Sequence, residues 1–455
     1  MAVEQHDPHR NGREYAHAAF QAAMDPSVEQ QLWQQLQERL SQEFDAAQLL
    51  RPGAAVEMEV RRVAHEVVSA SRKRAAMRGM RILADPERYE HVLVARALGM
   101  GYLAPFMDDP LIEEITINGS RVHVYRDGQK ELVEHLVPDP AETLHLVKRA
   151  IGARGARLDE SSPEVEVSLP DGSRLTAVIP PMTNVIRVTI RRFVVRAQRL
   201  EALVEFGMLE RDPAAFCDAA VRAGVNVLVA GPMGSGKTTF LNCLGACIPP
   251  NERIISIEDT PELTLFKTHP DCVPLYGRTS NVEGVGAITY RKLIRTALRL
   301  RGTRIIVGEV RGPEALDMLV AMATGHEGSM GTIHSESPRG ALDQLITFAQ
   351  MAEEHLGREA LSHMVGRRVE LVIQLRLEDG RRRVSSIFEV TGPGEGGAIE
   401  GHDVWTTDDE GRLRWTGIRP RCMGKLERRG IEYSFPLIPA DQFHARRNGE
   451  TAAPQ

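Results

Sequence analysis

The chain has 455 residues, of which 42% are hydrophobic and 26% are charged, the composition of a globular protein with several domains. A net charge of −6 argues against nucleic acid as the main partner. No apolar run reaches the ~18 residues of a membrane-spanning helix, and the polar N-terminus lacks a secretory signal. We therefore expect a cytoplasmic protein.

The first 100 residues are predicted to be a helical region that follows a mobile tail of about 25 residues. Apolar side chains recur every four positions in residues 28–44, and a second stripe at helical spacing covers residues 56–67. A third helix is expected to begin at Asp85 and Pro86, which have the residue types of an N-cap and a first helical position. These patterns predict three amphipathic helices.

Residues 101–195 change to a period of two, which predicts a separate α+β domain. The dipeptide Asn118-Gly119 separates two alternating runs and is typical of a hairpin turn. A helix is expected between this hairpin and a second one. The predicted strands cover residues 114–117, 122–125, 165–169, 175–179 and 185–193.

Residues 206–390 alternate between apolar runs and helical segments, which predicts an α/β domain with parallel strands and crossover helices. Ligands of such domains bind beyond the carboxyl ends of the strands. Residues 391–455 are expected to form a small C-terminal extension with a polar tail. The apolar strands are predicted at residues 225–230, 254–257, 305–307 and 330–333.

A match to the phosphate-binding pattern GxxxxGK[ST] follows the first of these strands and precedes a helix. Its glycines let backbone N–H groups turn toward a β-phosphate, while Lys237 reaches the β- and γ-oxygens and Thr238 ligates Mg²⁺. The motif predicts binding of ATP and Mg²⁺. The predicted nucleotide-binding residues are Gly231, Pro232, Met233, Gly234, Ser235, Gly236, Lys237, Thr238 and Thr239.

Carboxylates follow two other strands of the same domain. Glu258 and Asp259 end one apolar run, and Glu309 ends another after Gly308, which stands where many P-loop enzymes have Asp. We expect Glu309 to orient the attacking water as the base. The metal-side carboxylate must then come from Glu258 or Asp259. We expect Glu258 to act on the Mg²⁺ side, partly through water, or in the network of the attacking water, with Asp259 in support.

Two histidines lie near the last of the predicted strands. His334 ends the strand and is predicted to hydrogen-bond near the γ-phosphate, which would link the nucleotide to the following element. His326 follows a helix end, and for this residue a structural and a functional role both remain open.

Four ordered motifs resemble the Walker A, Asp box, Walker B and His box of the secretion and pilus ATPase superfamily. Within it, the chain most resembles the CpaF-type ATPases of tight-adherence (Flp) pilus systems, because residues 158–163, 169–174 and 178–181 also match that branch. The paired CxxC element of many type II secretion ATPases is absent from the sequence, which favours the same branch. The four motifs occupy residues 231–238, 257–263, 304–312 and 324–334.

The resemblance implies a homohexameric ring at the cytoplasmic face of the inner membrane, docked on membrane platform proteins of a pilus or secretion system. ATP hydrolysis would move a PAS-like α+β N-terminal domain against a RecA-like P-loop domain. Family members contact the nucleotide with arginines from the N-terminal domain, and Arg174, Arg191 and Arg192 are the matching residues. Ion pairs with surface carboxylates are the alternative for each. The weaker candidates are Arg295, Arg299 and Arg311.

Two other functional classes share the P-loop core. One is a conjugative or DNA-translocating ATPase, which the acidic net charge disfavours. The other is a nucleotide-gated scaffold with little turnover, which the intact Lys237 and Glu309 disfavour. Departures from the family pattern at Gly302-Thr303, Pro313 and Ser335-Glu336 remove no catalytic group but leave the system that is served open.

Overall fold

The computed structural model describes residues 26–44, 54–78, 85–98, 100–126, 129–134, 136–152, 156–169, 171–193, 197–278, 285–378 and 380–436. The chain divides into two compact units, Met1–Val194 and Val195–Gln455. The predicted N-terminal tail and the end of the C-terminal tail lie outside the described residues. Among the helices that are described, none has the length and apolar character needed to cross a membrane.

Three helices of the first unit pack through the apolar stripes that predict them. They are α1 (Pro26–Glu43), α2 (Ala54–Met77) and α3 (Pro86–Leu98). Leu36 of α1, Val63 of α2 and Leu93 of α3 are fully buried in one shared cluster. The Asp85 carboxylate accepts a hydrogen bond from the Arg88 amide at 3.1 Å, which is an N-cap interaction. The predicted helical region is confirmed.

The rest of the described first unit is built around a six-stranded antiparallel sheet. Its strands are β1 (Ile112–Asn118), β2 (Arg121–Arg126), β3 (Gln129–Leu132), β4 (Glu164–Ser168), β5 (Arg174–Val178) and β6 (Arg187–Arg191). They lie in the order β3-β2-β1-β6-β5-β4, which contains both predicted hairpins. Two helices, α4 (Ala104–Asp108) and α5 (Pro140–Gly152), accompany the sheet. Val147 of α5 shares a buried cluster with Ile115 and Ile190.

A nine-stranded mixed sheet organises the second unit. Its strands are β7 (Val227–Gly231), β8 (Ile254–Glu258), β9 (Cys272–Tyr276), β10 (Arg304–Val307), β11 (Met330–His334), β12 (Leu371–Glu378), β13 (Arg381–Pro393), β14 (Ile399–Thr407) and β15 (Leu413–Trp415). The order is β15-β14-β13-β12-β7-β11-β10-β8-β9. Pairing is parallel from β12 to β9 and antiparallel from β15 to β12. The predicted parallel strands are confirmed, and their carboxyl ends share one edge of the sheet.

Helices cover both faces of this sheet. They are α6 (Leu200–Glu205), α7 (Arg211–Arg222), α8 (Lys237–Gly245), α9 (Leu265–Thr268), α10 (Tyr290–Ala297), α11 (Glu314–Ala323), α12 (Pro338–Gln350), α13 (Arg358–Arg368) and α14 (Met423–Arg428). Val227 and Val229 of β7 belong to a cluster with α7 and α8, whereas Leu228 and Ala230 belong to a cluster with α11 and α12. Burial on both faces explains the unbroken apolar run of β7.

The segment after residue 391 contributes to the same sheet and core. Strand β13 reaches Pro393, and β14 and β15 extend the sheet beyond it. Near the end of the described chain, the Phe435 ring stacks on Trp415 with 4.6 Å between centroids and lies 5.7 Å from Phe216 of α7. These rings attach the C-terminal segment to α7 and β15 of the second unit.

Candidate active site

The predicted phosphate-binding loop connects the end of β7 at Gly231 to the start of α8 at Lys237. Gly234 and Gly236 have φ values of 75° and 90°, in the left-handed region that residues with a Cβ disfavour. The glycines therefore let the backbone curl around the N-terminus of α8, where exposed N–H groups attract anions. This loop, with Thr238, is called the P-loop below.

The Lys237 ammonium lies within the P-loop. Its Nζ donates to the carbonyl oxygens of Gly231 at 3.0 Å and Pro232 at 2.9 Å, and the residue is only 8% exposed. A further contact joins Nζ to Nδ1 of His334 at 3.2 Å. Binding of a phosphate by Lys237 therefore requires that it exchange loop carbonyls for phosphate oxygens.

His334, the last residue of β11, joins the P-loop to the predicted base. A lysine ammonium can only donate, so Nδ1 of His334 accepts from Lys237 and carries no proton. Nε2 then carries the proton and donates to Oε1 of Glu309 at 2.8 Å. The hydrogen-bond pattern thus assigns a neutral imidazole in one tautomer, held between Lys237 and Glu309.

Arg311 connects the carboxylates that follow β8 and β10. Its NH1 lies 3.9 Å from Oε2 of Glu309, and its NH2 forms an ion pair with Asp259. The Asp259 amide in turn donates to the Tyr290 hydroxyl at 3.0 Å. From the sequence, Arg311 is a weaker candidate for a nucleotide contact, whereas the structure places it between two of the predicted catalytic carboxylates.

Glu258, the last residue of β8, is 3% exposed. Its Oε1 accepts hydrogen bonds from the amides of Glu262 at 3.0 Å and Leu263 at 2.7 Å. Its Oε2 is buried and has no hydrogen-bond partner among the described residues. Burial raises the pKa of Glu258 to about 8 and outweighs the two amide hydrogen bonds, which lower it.

The Glu258 side chain leaves little room for a side chain at Gly308. The Gly308 amide donates to the Ile257 carbonyl at 2.8 Å, so the backbones of β8 and β10 are close here. A Cβ on residue 308 would lie 3.0 Å from Cγ of Glu258 and 3.3 Å from the Ile257 oxygen. Because Glu258 fills the space where an aspartate at 308 would begin, this crowding accounts for the glycine.

The residues present fit a magnesium–nucleotide complex. Thr238 and Thr239 lie half-buried in the first turn of α8, and a hydroxyl in this position is the usual protein ligand of Mg²⁺ in P-loops. Oε2 of Glu258 is a buried oxygen without a hydrogen-bond partner in the described part of the chain, and a nearby cation would favour its ionised form. No three His, Cys, Asp or Glu side chains cluster as a metal site in the described part of the chain. A Mg²⁺ ion held by Thr238 and Glu258 would take its remaining ligands from phosphate oxygens and water.

The three arginines expected near the nucleotide belong to the first unit. Arg174 of β5 and Arg191 of β6 are register partners, so both side chains lie on one face of the sheet. Arg174 forms an ion pair with Glu166 at 3.4 Å. Arg192 donates to the backbone carbonyls of Phe106, Asp109 and Ile112. Arg192 thus has a structural role, and the nucleotide contacts of all three remain predictions.

Two weaker candidates also have structural partners. Nδ1 of the buried His326 donates to the Ala321 carbonyl at 3.2 Å, which closes the end of α11. Arg295 forms ion pairs with Asp317 at 2.8 Å and Glu354 at 3.2 Å. The structure favours the structural interpretation of His326.

Arg382 of β13 contacts the P-loop and was not predicted from the sequence. Its Nε donates to the Gly234 carbonyl in the P-loop at 2.8 Å, although 148 positions separate the two residues. The pairing of β12 with both β7 and β13 brings this side chain to the loop. No local motif marks Arg382, and only the turn at Gly380 indicates the hairpin that carries it.

A sequence profile described as "Type II/IV secretion system protein" matches residues 96–381. The chain belongs to this family. One relative, "Putative conjugal transfer protein Rv3659c" of Mycobacterium tuberculosis, is 36% identical over 326 residues, which are 70% of this chain and 91% of that protein. "Type IV secretion system protein PtlH" of Bordetella pertussis is 34% identical over 253 residues, which are 50% of this chain and 74% of that protein.

Solved structures similar to this chain include the VirB11 ATPase of the Brucella suis type IV secretion system in complex with sulphate. It is 28% identical, with 63% of this chain and 95% of that chain covered and a TM-score of 0.36. The pilus retraction motor PilT with bound ADP is 15% identical, with 76% and 89% covered and a TM-score of 0.44. The match to the type II/IV secretion family confirms the superfamily that the four motifs indicate. Assignment to the CpaF branch is more specific than this family match and remains a prediction.

Proposed function

We propose that this protein hydrolyses ATP to power a pilus or secretion machine. The observation that carries the proposal is the hydrogen-bonded series Lys237, His334 and Glu309, with separations of 3.2 and 2.8 Å. It joins a phosphate-binding cation to the carboxylate suited to orient water. Membership of the type II/IV secretion family and the similarity to PtlH support a role in a pilus or secretion machine.

In the proposed site, the P-loop amides and Lys237 hold the β- and γ-phosphates. Thr238 and Glu258, the latter partly through water, hold Mg²⁺, which neutralises phosphate charge when bound. Glu309 orients the water that attacks the γ-phosphate. Asp259 supports Glu309 through Arg311, whose cation lies between the two carboxylates.

His334 is proposed to connect the nucleotide to the base. It accepts from Lys237 and donates to Glu309, so a change at the lysine alters the surroundings of the carboxylate. Arg174 and Arg191 are proposed to reach the nucleotide and stabilise the charge of the transition state. Their position as neighbours on one sheet face supports a shared role.

We assign the protein to the CpaF type and propose that it works as a homohexameric ring. The matches at residues 158–163, 169–174 and 178–181 support the branch. In this proposal the ring lies at the inner face of the cell membrane and docks on platform proteins. It serves a tight-adherence (Flp) pilus or a related secretion system.

Conjugal transfer is a second candidate function. It is favoured by the name of the Mycobacterium tuberculosis relative, "Putative conjugal transfer protein Rv3659c", which is 36% identical to this chain. A motor that acts on DNA should bind it with strong salt dependence and hydrolyse ATP faster in its presence. ATP turnover that double-stranded and single-stranded DNA leave unchanged would favour the pilus or secretion motor.

The proposed hydrolysis is tested by Glu309→Gln. Glutamine retains an oxygen that accepts from His334 but cannot act as a base, so ATP binding should persist while turnover falls by roughly 10² to 10⁴. The measurements are nucleotide affinity and phosphate release, with the exposed Glu353→Gln as the control. Near-normal hydrolysis by Glu309→Gln would reject Glu309 as the base.

A further inference from the structure

Arg382 lies against the outer side of the P-loop. Its Nε donates to the Gly234 carbonyl at 2.8 Å. Its Cδ is 3.5 Å from the position that a Cβ on Gly236 would take, and Cδ2 of Leu377 is 3.9 Å from the corresponding position on Gly234. The hairpin of β12 and β13 therefore covers the loop with a cation and an apolar side chain.

The contact fixes the direction of one peptide group of the loop. A trans peptide is planar, and its C=O and N–H point in opposite directions. Because Arg382 holds the Gly234 oxygen on the outside, the Ser235 N–H is directed to the inside of the loop. There it lies 3.4 Å from the Pro232 oxygen, a long hydrogen bond that a phosphate oxygen can replace.

Within the loop, the Ser235 hydroxyl donates to the Pro232 carbonyl at 2.8 Å, whereas the hydrogen bond to the Gly234 carbonyl comes from Arg382. Gly234 and Gly236 both have positive φ and lack a Cβ, so the peptide groups between them can reorient at small cost. A hydrogen bond from a guanidinium to a carbonyl is charge-assisted and stronger than a neutral one. The guanidinium also places a positive charge within hydrogen-bond distance of the loop backbone at Gly234.

We propose that Arg382 is a positioning residue that presets the P-loop for the triphosphate by holding the Gly234 carbonyl outward. This inference rests on the proposed ATPase function. Arg382 acts through the loop and takes no part in the cleavage itself. It should therefore affect the affinity for Mg-ATP and KM, and leave kcat at saturating ATP within about twofold of wild type.

The test compares Arg382→Met with Arg381→Met. Methionine retains the apolar stem that packs near Gly236 and removes the donor and the charge. Arg381 is the exposed neighbour on the same strand, so its variant removes the same charge without the contact. Mg-ATP affinity, KM and kcat are measured for both variants, and thermal unfolding is followed in parallel.

We expect Arg382→Met to weaken Mg-ATP binding and raise KM about tenfold, with kcat and the unfolding midpoint almost unchanged. Arg381→Met should bind as wild type does, and Arg382→Lys should restore part of the affinity. The inference about Arg382 would be overturned if Arg382→Met bound Mg-ATP as tightly as wild type, or if Arg381→Met lost as much affinity as Arg382→Met. In either case, ATP hydrolysis by the wild-type protein would still support the proposed function. A wild-type protein that binds no Mg-ATP would overturn both. If Arg382→Met does not fold, Arg382→Leu, which also removes the donor and the charge, takes its place, and wild-type affinity and KM in that variant would overturn the inference.

Discussion

Replacing Glu258 by glutamine should change the stability of the protein in a pH-dependent way. Burial at the end of β8 raises the pKa of Glu258 from 4.5 to about 8. The unfolded chain loses this proton near its ordinary pKa, whereas the folded protein keeps it until the higher one. The stability that the protonated form contributes is therefore complete below the lower pKa and is lost as the pH rises through the upper one.

The size of the effect follows from the proton balance. Between the two pKa values the folded protein holds one proton more than the unfolded chain, so the free energy of unfolding falls by ~1.4 kcal/mol per pH unit. From 4.5 to about 8 the loss is on the order of 5 kcal/mol. Glutamine cannot ionise, and its oxygen can accept from the amides of Glu262 and Leu263 as Glu258 does. Glu258→Gln should resemble wild type near pH 5 and exceed its stability by about 4 kcal/mol near pH 8.

Urea denaturation from about pH 5 to about pH 8, in EDTA and without nucleotide, measures this difference. In a Trp33→Phe background the remaining tryptophans, Trp405 and Trp415, both report on the second unit. Glu353→Gln, which removes an exposed carboxylate, is the control. If the stabilities of wild type and Glu258→Gln follow parallel pH curves, Glu258 does not keep its proton and the reasoning fails.

Two further substitutions test the packing of the second unit. Gly328→Ala should destabilise by about 3 kcal/mol, because Gly328 has a φ of 79° and a Cβ there would lie 1.6 Å from NH1 of Arg304, which is fully buried. A thermal midpoint close to that of wild type would show that Arg304 can move aside. Phe435→Ala should cost about 2 kcal/mol in urea denaturation, because the ring stacks on Trp415 at 4.6 Å. An unchanged urea midpoint would mean that this ring does not hold the C-terminal segment.

The sequence predicts those helices and strands in which burial produces a regular pattern of apolar residues. β7 is buried on both faces, and β1 and β2 alternate on either side of a turn, so each has a clear period. β3 escapes prediction because all four of its residues are exposed. β13 was also missed, since its pairing with β14 shifts register between Ile387 and Phe388 and again between Val390 and Gly392, which breaks the period of two.

The candidate site could be predicted from the sequence where a polar functional residue lies at or just after the end of a strand. Glu258, Glu309 and His334 each end or follow an apolar strand, and a local pattern therefore marks them. Arg382 has no such signal, because β12 and β13, far along the chain, bring it to the P-loop. Nor does the sequence show that Arg192 serves three backbone carbonyls, since those acceptors lie more than 75 positions away.

The strand order of the sheet explains why these groups meet in the order that they do. Along the chain, Asp259 and Glu309 precede His334, whereas the contacts run from Lys237 to His334, then to Glu309, and through Arg311 to Asp259. The second order is that of the sheet, β7-β11-β10-β8, because β11 lies between the P-loop strand and β10. Because His334 ends β11, it lies between Lys237, which follows β7, and Glu309, which follows β10. We propose that a ligand which draws the lysine ammonium away from Nδ1 of His334 changes the surroundings of Glu309, the proposed base, through this single imidazole.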